Sequence, residues 1–272
     1  MAADPKLLVL AVDIERTGAS KREQTFAIGA SVVNASYTEL DSLLLAIWPE
    51  GEVQWEERCW NEFWSKNQNI LDKLKAEAAK QQTSTKRVGL KALEAGMIRD
   101  LVEFIAKHQS AAKEQGLKLL ITTDNAAFDF HWINHLIGKH LQGQYNPLPY
   151  RFDNQRYGDV ADMSNEMAGM KRVLQAAAVK NGMHEMVLPH GYMQAMASKQ
   201  HDHMPDNDAF TIAVKQQLCR QHLPALIQTS IERCVLSECG GAVVSKSEKC
   251  AGNRKKVSTL ENCEVFGTAS EK

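Results

Sequence analysis

The sequence predicts an α/β fold, and three observations lead to that prediction. The first 48 residues contain three short apolar runs bounded by polar or turn-forming residues, a pattern typical of β-strands. Later segments repeat their apolar residues at helical spacing. Apolar residues make up 44% of the 272-residue chain, which is enough for one large domain with a sizeable core.

The N-terminal runs predict three neighbouring strands. They are Lys6 to Ile14, Thr25 to Val33 and Leu43 to Trp48. Because no long helix separates them, we expect an antiparallel meander. The first run is continuously apolar, as in a strand buried on both faces, and it carries Asp13 at its end.

The middle of the chain predicts helices and a fourth strand. Residues 50–89 are polar, carry three tryptophans and have helical spacing around Ile70, so we interpret them as an excursion from the core. Helical spacing then covers Leu90 to His108, ahead of a strand over Leu117 to Thr122. We expect the next helix to begin near Ala126.

The last third predicts two further helices and a tail. The helices are expected over Asn165 to Asn181 and from Pro205 onward, where proline suits a first turn. Beyond Arg233 the chain is rich in Ser, Gly, Cys and Lys and has little periodicity. We therefore expect a domain over 1–232, with a polar Trp-containing insertion at about 50–89, and a tail or small appendage over 233–272.

Whole-chain charge does not indicate a nucleic-acid partner, since 32 Lys and Arg oppose 33 Asp and Glu. Residues 60–118 are locally basic, with 11 basic and 7 acidic side chains. A phosphate-binding groove and a solvated helix face both explain that excess.

Nothing in the sequence predicts a membrane protein. No run approaches the ~20 apolar residues of a membrane span, and Met1 to Pro5 is too short and too polar for a secretory signal. We expect an intracellular protein, cytoplasmic or nuclear, whose six cysteines are mostly reduced thiols.

The tail carries cysteines and basic residues with more than one interpretation. Four of the six cysteines fall there, but the paired CxxC spacing of zinc modules is missing, so free thiols are favoured over a zinc site. The tail's lysines and Arg254 are equally consistent with phosphate contacts, a nuclear address or solvated charge.

Acidic residues at the end of the first strand indicate a metal site. Asp13 and Glu15 lie two apart, so their side chains project from one face of the strand and can share a cation. A charge at the end of a buried strand is costly unless it is paired or bound to metal. Thr17 can offer a donor to a phosphate or sugar, and Gly18 allows close backbone approach, although both also suit an ordinary turn.

Two later segments also combine acids with a strand end or helix start. In TDNAAFD, Asp129 lies where a helix begins, a position that the helix dipole alone favours, while Asp124 and Asn125 resemble helix caps. In HDHMPDNDAF, histidine precedes aspartate by five residues twice, as His203 with Asp208 and as His201 with Asp206. A histidine beside an activated water can serve as general base near neutral pH.

Taken in order, DIERTG, DNAAFD and HMPDNDA resemble the three motifs of the DEDDh exonucleases of the ribonuclease H-like superfamily. The resemblance covers about 6–223 and implies a mixed sheet, with three antiparallel strands followed by parallel strands, flanked by helices. That pattern places alanine directly after the final aspartate. Ala209 follows Asp208 whereas Asn207 follows Asp206, so His203 is taken as the base.

The resemblance also implies a chemistry. Two divalent cations, Mg²⁺ or Mn²⁺, would be held by four carboxylates, those of Asp13, Glu15, Asp129 and Asp208. His203 would activate water, and the product would be a 5′ mononucleotide released from a nucleic-acid 3′ end. Relatives grip the terminal nucleotide just after the first motif, which corresponds to Thr17, Gly18 and Ala19 here.

Other functions stay open at this point. DNA ends are slightly favoured over RNA ends or short oligonucleotides, but the sequence does not decide between them, because no residue can be assigned to a 2′-hydroxyl contact. A catalytically silent nucleic-acid-binding module is the competitor from another class. Phe26 and Phe128 are candidates for a wedge against the last base, although core packing is favoured for both.

Overall fold

The computed structural model describes residues 6–19, 24–48, 53–82, 90–141, 161–162, 190–199 and 202–238. The helix predicted over 165–181, His201 and the tail beyond 238 lie outside these ranges. Residues 1–230 form one compact unit and 231–272 a second. The predicted boundary at 233 stays a prediction.

The described strands form one mixed sheet in the order β3-β2-β1-β4-β5. The first three strands pair antiparallel, whereas β4 pairs parallel with β1 and β5 pairs parallel with β4. The predicted mixed α/β sheet is therefore confirmed. The strands are β1 Leu7–Arg16, β2 Thr25–Val33, β3 Glu39–Ala46, β4 Lys118–Thr123 and β5 Ala161–Asp162.

Six α-helices occur in the described part of the chain, together with a short 3₁₀ turn at Trp64–Lys66. None of these helices is long and apolar enough to cross a membrane. The helices are α1 Glu57–Glu62, α2 Gln68–Gln82, α3 Leu90–Glu114, α4 Asp129–His140, α5 His190–Ser198 and α6 Pro205–Glu238.

Some predicted boundaries were wrong for local reasons. Strand β3 begins at Glu39, four residues before the predicted start. The prediction missed its first half because those residues are polar, as suits a strand that pairs on one edge only. Helix α4 begins at Asp129 rather than near Ala126. The amides of Phe128 and Asp129 both donate to the carbonyl of Asn125, so residues 126–128 form a turn ahead of the helix.

Successive residues of β1 face opposite sides of the sheet, as the pleat requires. Leu10, Val12 and Ile14 belong to a core shared with α3 and α4. Val9 and Ala11 belong to a second core shared with α6. Asp13 and Glu15 continue the second series, so they project toward the side of the sheet that α6 covers.

The first residues of α6 pack directly against β2, on the face of the sheet to which the carboxylates of β1 project. Gly29 pairs with Asp13 across the two strands. A Cβ atom at Gly29 would lie 2.0 Å from the carbonyl carbon of Pro205, the first residue of α6. Only glycine permits this approach, which brings Asp208 in the first turn of α6 over β1.

We expect Gly29→Ala to lower the free energy of unfolding by about 1–3 kcal/mol, because the new methyl group displaces α6. Urea unfolding measures this change. Gly96→Ala in α3 is the matched control, since no atom lies within 4 Å of its new Cβ atom. A helix-interior alanine there should leave stability unchanged or raise it by up to ~1 kcal/mol. Wild-type stability in Gly29→Ala would contradict the close approach.

Candidate metal centre

Three carboxylates from two distant segments meet beside the sheet. Asp13 and Glu15 lie on β1 and are half-buried, and Asp208 of α6 is buried. One oxygen from each of these residues lies within 4.8 Å of the other two. The structure thus brings the first and third predicted motifs together.

A second group shares Asp13. One oxygen each of Asp13, Asp124 and Asp129 also lies within 4.8 Å of the others. The register of the parallel pair β1 and β4 joins Ala11 to Thr122, so Asp124 follows β4 at the level of Asp13. The two groups together contain five carboxylates.

Asp124 is a candidate metal ligand that sequence reasoning missed. We interpreted it as a helix cap, but α4 begins five residues later and has no side-chain cap. The signal was its position directly after β4, because the carboxyl ends of neighbouring parallel strands lie at the same edge of a sheet. That signal needs the knowledge that β4 lies next to β1.

Asp129 is almost fully buried, with 2% of its surface exposed. It accepts a hydrogen bond from the Thr123 hydroxyl, and its amide donates to the carbonyl of Asn125. Burial raises the pKa of Asp129, and the neighbouring Asp124 raises it further, whereas the Thr123 hydrogen bond lowers it.

Burial also raises the pKa values of Asp13 and Glu15 well above their ordinary range, and charge repulsion adds to this effect. For Asp13 the strongest repulsion comes from Glu15. For Glu15 it comes from Asp208. Without a cation, the folded chain therefore favours protonated carboxyl groups at this site.

The residues present fit a hard divalent cation. Asp13 Oδ2 is buried and accepts no hydrogen bond from any residue that the structure describes. Within the same ranges, no lysine or arginine forms a salt bridge with Asp13 or Glu15. The donors are all carboxylate oxygens, which Mg²⁺ and Mn²⁺ prefer. Such an ion would relieve both the repulsion and the unsatisfied oxygen.

His203 lies beside the carboxylates, in the loop ahead of α6. Its Nδ1 is 3.7 Å from Asp208 Oδ2, and 34% of its side chain is exposed. Its backbone φ of +57° is in the left-handed region, which is uncommon for a residue with a Cβ atom. The alternative pair, His201 with Asp206, is not comparable, because His201 lies outside the described residues.

The loop after β1 holds Thr17, Gly18 and Ala19, the candidate substrate-binding residues. Thr17 is fully buried, and its hydroxyl oxygen accepts a hydrogen bond from the Gln24 amide at 2.9 Å. Ala19 is exposed, and its amide donates to Glu56 Oε2 at 3.0 Å. Thr17 therefore closes the loop, and contact of these residues with a nucleotide stays a prediction.

Arg16, to which sequence reasoning gave no role, connects β1 to α4. Its guanidinium lies 3.6 Å from the centre of the Trp132 ring, within cation–π range. The same group donates to Thr25 Oγ1 at 3.0 Å and to the Gly18 carbonyl at 3.2 Å. Arg16 thus fixes the end of the strand that carries the first two carboxylates.

The two candidate base wedges differ in burial. Phe26 is 1% exposed and makes ring contacts with Trp48, Trp55 and Trp64, as expected of a core residue. Phe128 is half-buried against the core shared with α3 and α4.

No protein-family model and no curated protein sequence matches this chain. Solved structures do align with it. The nuclease domain of 3′hExo, a DEDDh family member bound to rAMP, is 13% identical, with 81% of this chain and 97% of that chain covered and a TM-score of 0.43. A full-length 3′-exonuclease is 14% identical, with 81% and 85% covered and a TM-score of 0.43.

A third aligned structure is the zinc-bound form of E. coli ExoI with single-stranded DNA. It is 11% identical, with 82% of this chain and 42% of that chain covered and a TM-score of 0.49. This chain therefore spans less than half of ExoI.

We expect the metal-free protein to lose stability as pH rises, because its raised carboxyl pKa values favour the folded state only while those groups are protonated. The contribution is full below the ordinary pKa of about 4 and is lost as pH rises through the raised values. Thermal unfolding in EDTA at pH 5 and pH 8 should therefore show Asp13→Asn gaining stability relative to wild type at pH 8.

The same experiment with Mg²⁺ measures the effect of the cation on stability. At pH 8, Mg²⁺ should raise the Tm of wild type much more than that of Asp13→Asn. Asp72→Asn is the control, since it removes an exposed carboxylate of α2 and should respond to Mg²⁺ as wild type does. Equal Mg²⁺-induced shifts in wild type and Asp13→Asn would remove Asp13 from the candidate centre.

Proposed function

We propose that this protein is a DEDDh-type 3′-5′ exonuclease that hydrolyses phosphodiester bonds at nucleic-acid 3′ ends and releases 5′ mononucleotides. The carrying observation is the convergence of Glu15, Asp129 and Asp208 around Asp13, with His203 beside Asp208. These residues come from three separate segments, and they are the ones that the motif resemblance selected.

The two overlapping carboxylate groups support two cations with Asp13 shared between them. One group is Asp13, Glu15 and Asp208, and the other is Asp13, Asp124 and Asp129. When bound, Mg²⁺ or Mn²⁺ ions supply neutralisation of phosphoryl charge, activation of water and stabilisation of the departing 3′ oxygen. Asp124 extends the four acids of the motifs with a fifth carboxylate.

His203 is proposed as the general base. Its Nδ1 faces Asp208 Oδ2, and we assign proton transfer from the attacking water to the opposite ring nitrogen, Nε2. The partial exposure of the ring leaves the base accessible to solvent and substrate.

The substrate is proposed to be a DNA 3′ end, with RNA ends or short oligonucleotides as the alternative. Thr17, Gly18 and Ala19 are proposed to contact the terminal nucleotide, because their loop directly follows the carboxylates of β1. A silent binding module is the second function class. Calorimetric titration with Mn²⁺ separates it, since a silent module has no need to bind two ions.

Asp13→Ala and Asp208→Ala should each abolish cleavage while leaving the fold intact, because each change removes a metal ligand and relieves repulsion in the metal-free protein. Digestion of 3′-labelled and 5′-labelled single-stranded and duplex DNA and RNA with Mg²⁺ or Mn²⁺ measures polarity, sugar and strand preference together. Asp72→Ala, at an exposed position, should cleave as wild type does. Metal-dependent cleavage retained in Asp13→Ala or Asp208→Ala would refute the assignment.

His203→Ala should reduce kcat by about 10²–10⁴-fold, because it removes the base and keeps the metal ligands. Calorimetry with Mn²⁺ should give the same stoichiometry as wild type. Normal turnover of His203→Ala would instead assign the base to another group, with His201 as the first to test.

A further inference from the structure

The segment 53–82, interpreted from sequence as a polar excursion, packs against both parts of the candidate site. Its Trp64, Leu71 and Leu74 form a third core cluster with Phe26 and other residues at the sheet end. Met204, next to His203, packs against the same cluster. The loop that carries the histidine is therefore held in part by this segment.

Trp64 fixes the segment to the strand of carboxylates. It is 1% exposed, and its indole Nε1 donates to the carbonyl of Arg16, directly after Glu15, at 3.3 Å. The amide of Glu56 adds a second bond to this stretch, donating to the carbonyl of Thr17 at 2.9 Å. The position of Trp64 relative to β1 is thus determined by direct contacts.

Phe63 connects Trp64 to the histidine by ring contacts. Its ring meets the Trp64 ring edge-on at 4.7 Å and the His203 imidazole edge-on at 4.9 Å. The Phe63 carbonyl accepts from Asn67 Nδ2 at 2.9 Å, and its amide donates to the Cys59 carbonyl at 3.2 Å. A continuous chain of contacts therefore joins β1 to the imidazole.

The histidine loop is tied to α2 at a second point. Lys73 Nζ lies 3.4 Å from Asp202 Oδ2, and Asp202 Oδ1 accepts from the Met204 amide and from Asn207 Nδ2. These contacts hold the backbone on either side of His203 in its left-handed conformation. A backbone conformation of this kind persists where surrounding structure determines it.

The geometry points to Phe63 as a positioning residue whose ring holds the His203 imidazole beside Asp208, so that segment 53–82 sets the place of the base relative to the carboxylates. This inference rests on the proposed function. If Phe63 only fills space, its loss lowers stability without a specific effect on the step that His203 performs. The two roles therefore differ in their kinetic and spectroscopic consequences.

Phe63→Leu should lower kcat by about 10- to 100-fold on a 3′-labelled single-stranded DNA, because a misplaced base slows the chemical step. KM and the Mn²⁺ affinity measured by calorimetry should stay within about twofold of wild type. Phe63→Tyr, which keeps the ring, should restore most of kcat. In a His203→Ala background, Phe63→Leu should cost nothing further, since coupled residues are not additive.

Phe104→Leu is the matched control. Phe104 also meets a histidine ring, that of His108, at 4.7 Å, and both lie within α3. It is a core residue, so this change should lower stability without changing kcat. An equal loss of kcat in both leucine variants, or the same loss from Phe63→Leu with and without His203, would overturn the positioning role.

A measurement without turnover separates this inference from the proposed function. Three-bond couplings in histidine-labelled protein should show one His203 χ1 rotamer in wild type and averaged rotamers in Phe63→Leu. Averaged couplings in the wild type would overturn the positioning role, and this measurement does not require a variant to fold. Equal couplings in wild type and Phe63→Leu would also overturn it. A fixed χ1 in a wild-type protein that cleaves no labelled substrate would refute the nuclease proposal and leave the positioning role in place.

Discussion

Carboxylates that repel one another are held together where β1 and β4 end, and packing on both sides of the sheet resists that repulsion. One core, shared with α3 and α4, fixes Asp129, and the other, shared with α6, fixes Asp208. Burial and repulsion raise the pKa values of Asp13, Glu15 and Asp129 as a result. Packing energy thus holds together carboxyl groups whose ionised form a divalent cation would stabilise.

Two local features make this convergence possible. Gly29 has no side chain, so the first turn of α6 can rest on β2 and place Asp208 over β1. The Arg16 side chain projects from the face of β1 opposite to the side chains of Asp13 and Glu15, and its guanidinium stacks on the Trp132 ring of α4. This positive charge therefore fixes the strand end while the carboxylates beside it keep their oxygens for a cation.

Segment 53–82 packs against the end of β1 and the loop of His203, in addition to the helices that cover the two faces of the sheet. All three lysines of α2 have acidic partners, since Lys73, Lys75 and Lys80 form salt bridges with Asp202, Asp72 and Glu77. These pairs suit a solvated helix face better than an open phosphate groove. The contribution of the segment to the site comes instead from Trp64 and Phe63, which connect β1 to the histidine loop.

By itself the sequence determined the three N-terminal strands and the continuously apolar β1, because periodicity is a local property of the chain. The mixed sheet and the candidate site residues were implied by the resemblance of three motifs to a known family. Asp124, Arg16 and Phe63 were missed, since their significance depends on partners in β1, α4 and the loop of His203. Only the tertiary structure decided these contacts. A contact between distant segments depends on strand order and packing, which no local pattern of residues encodes.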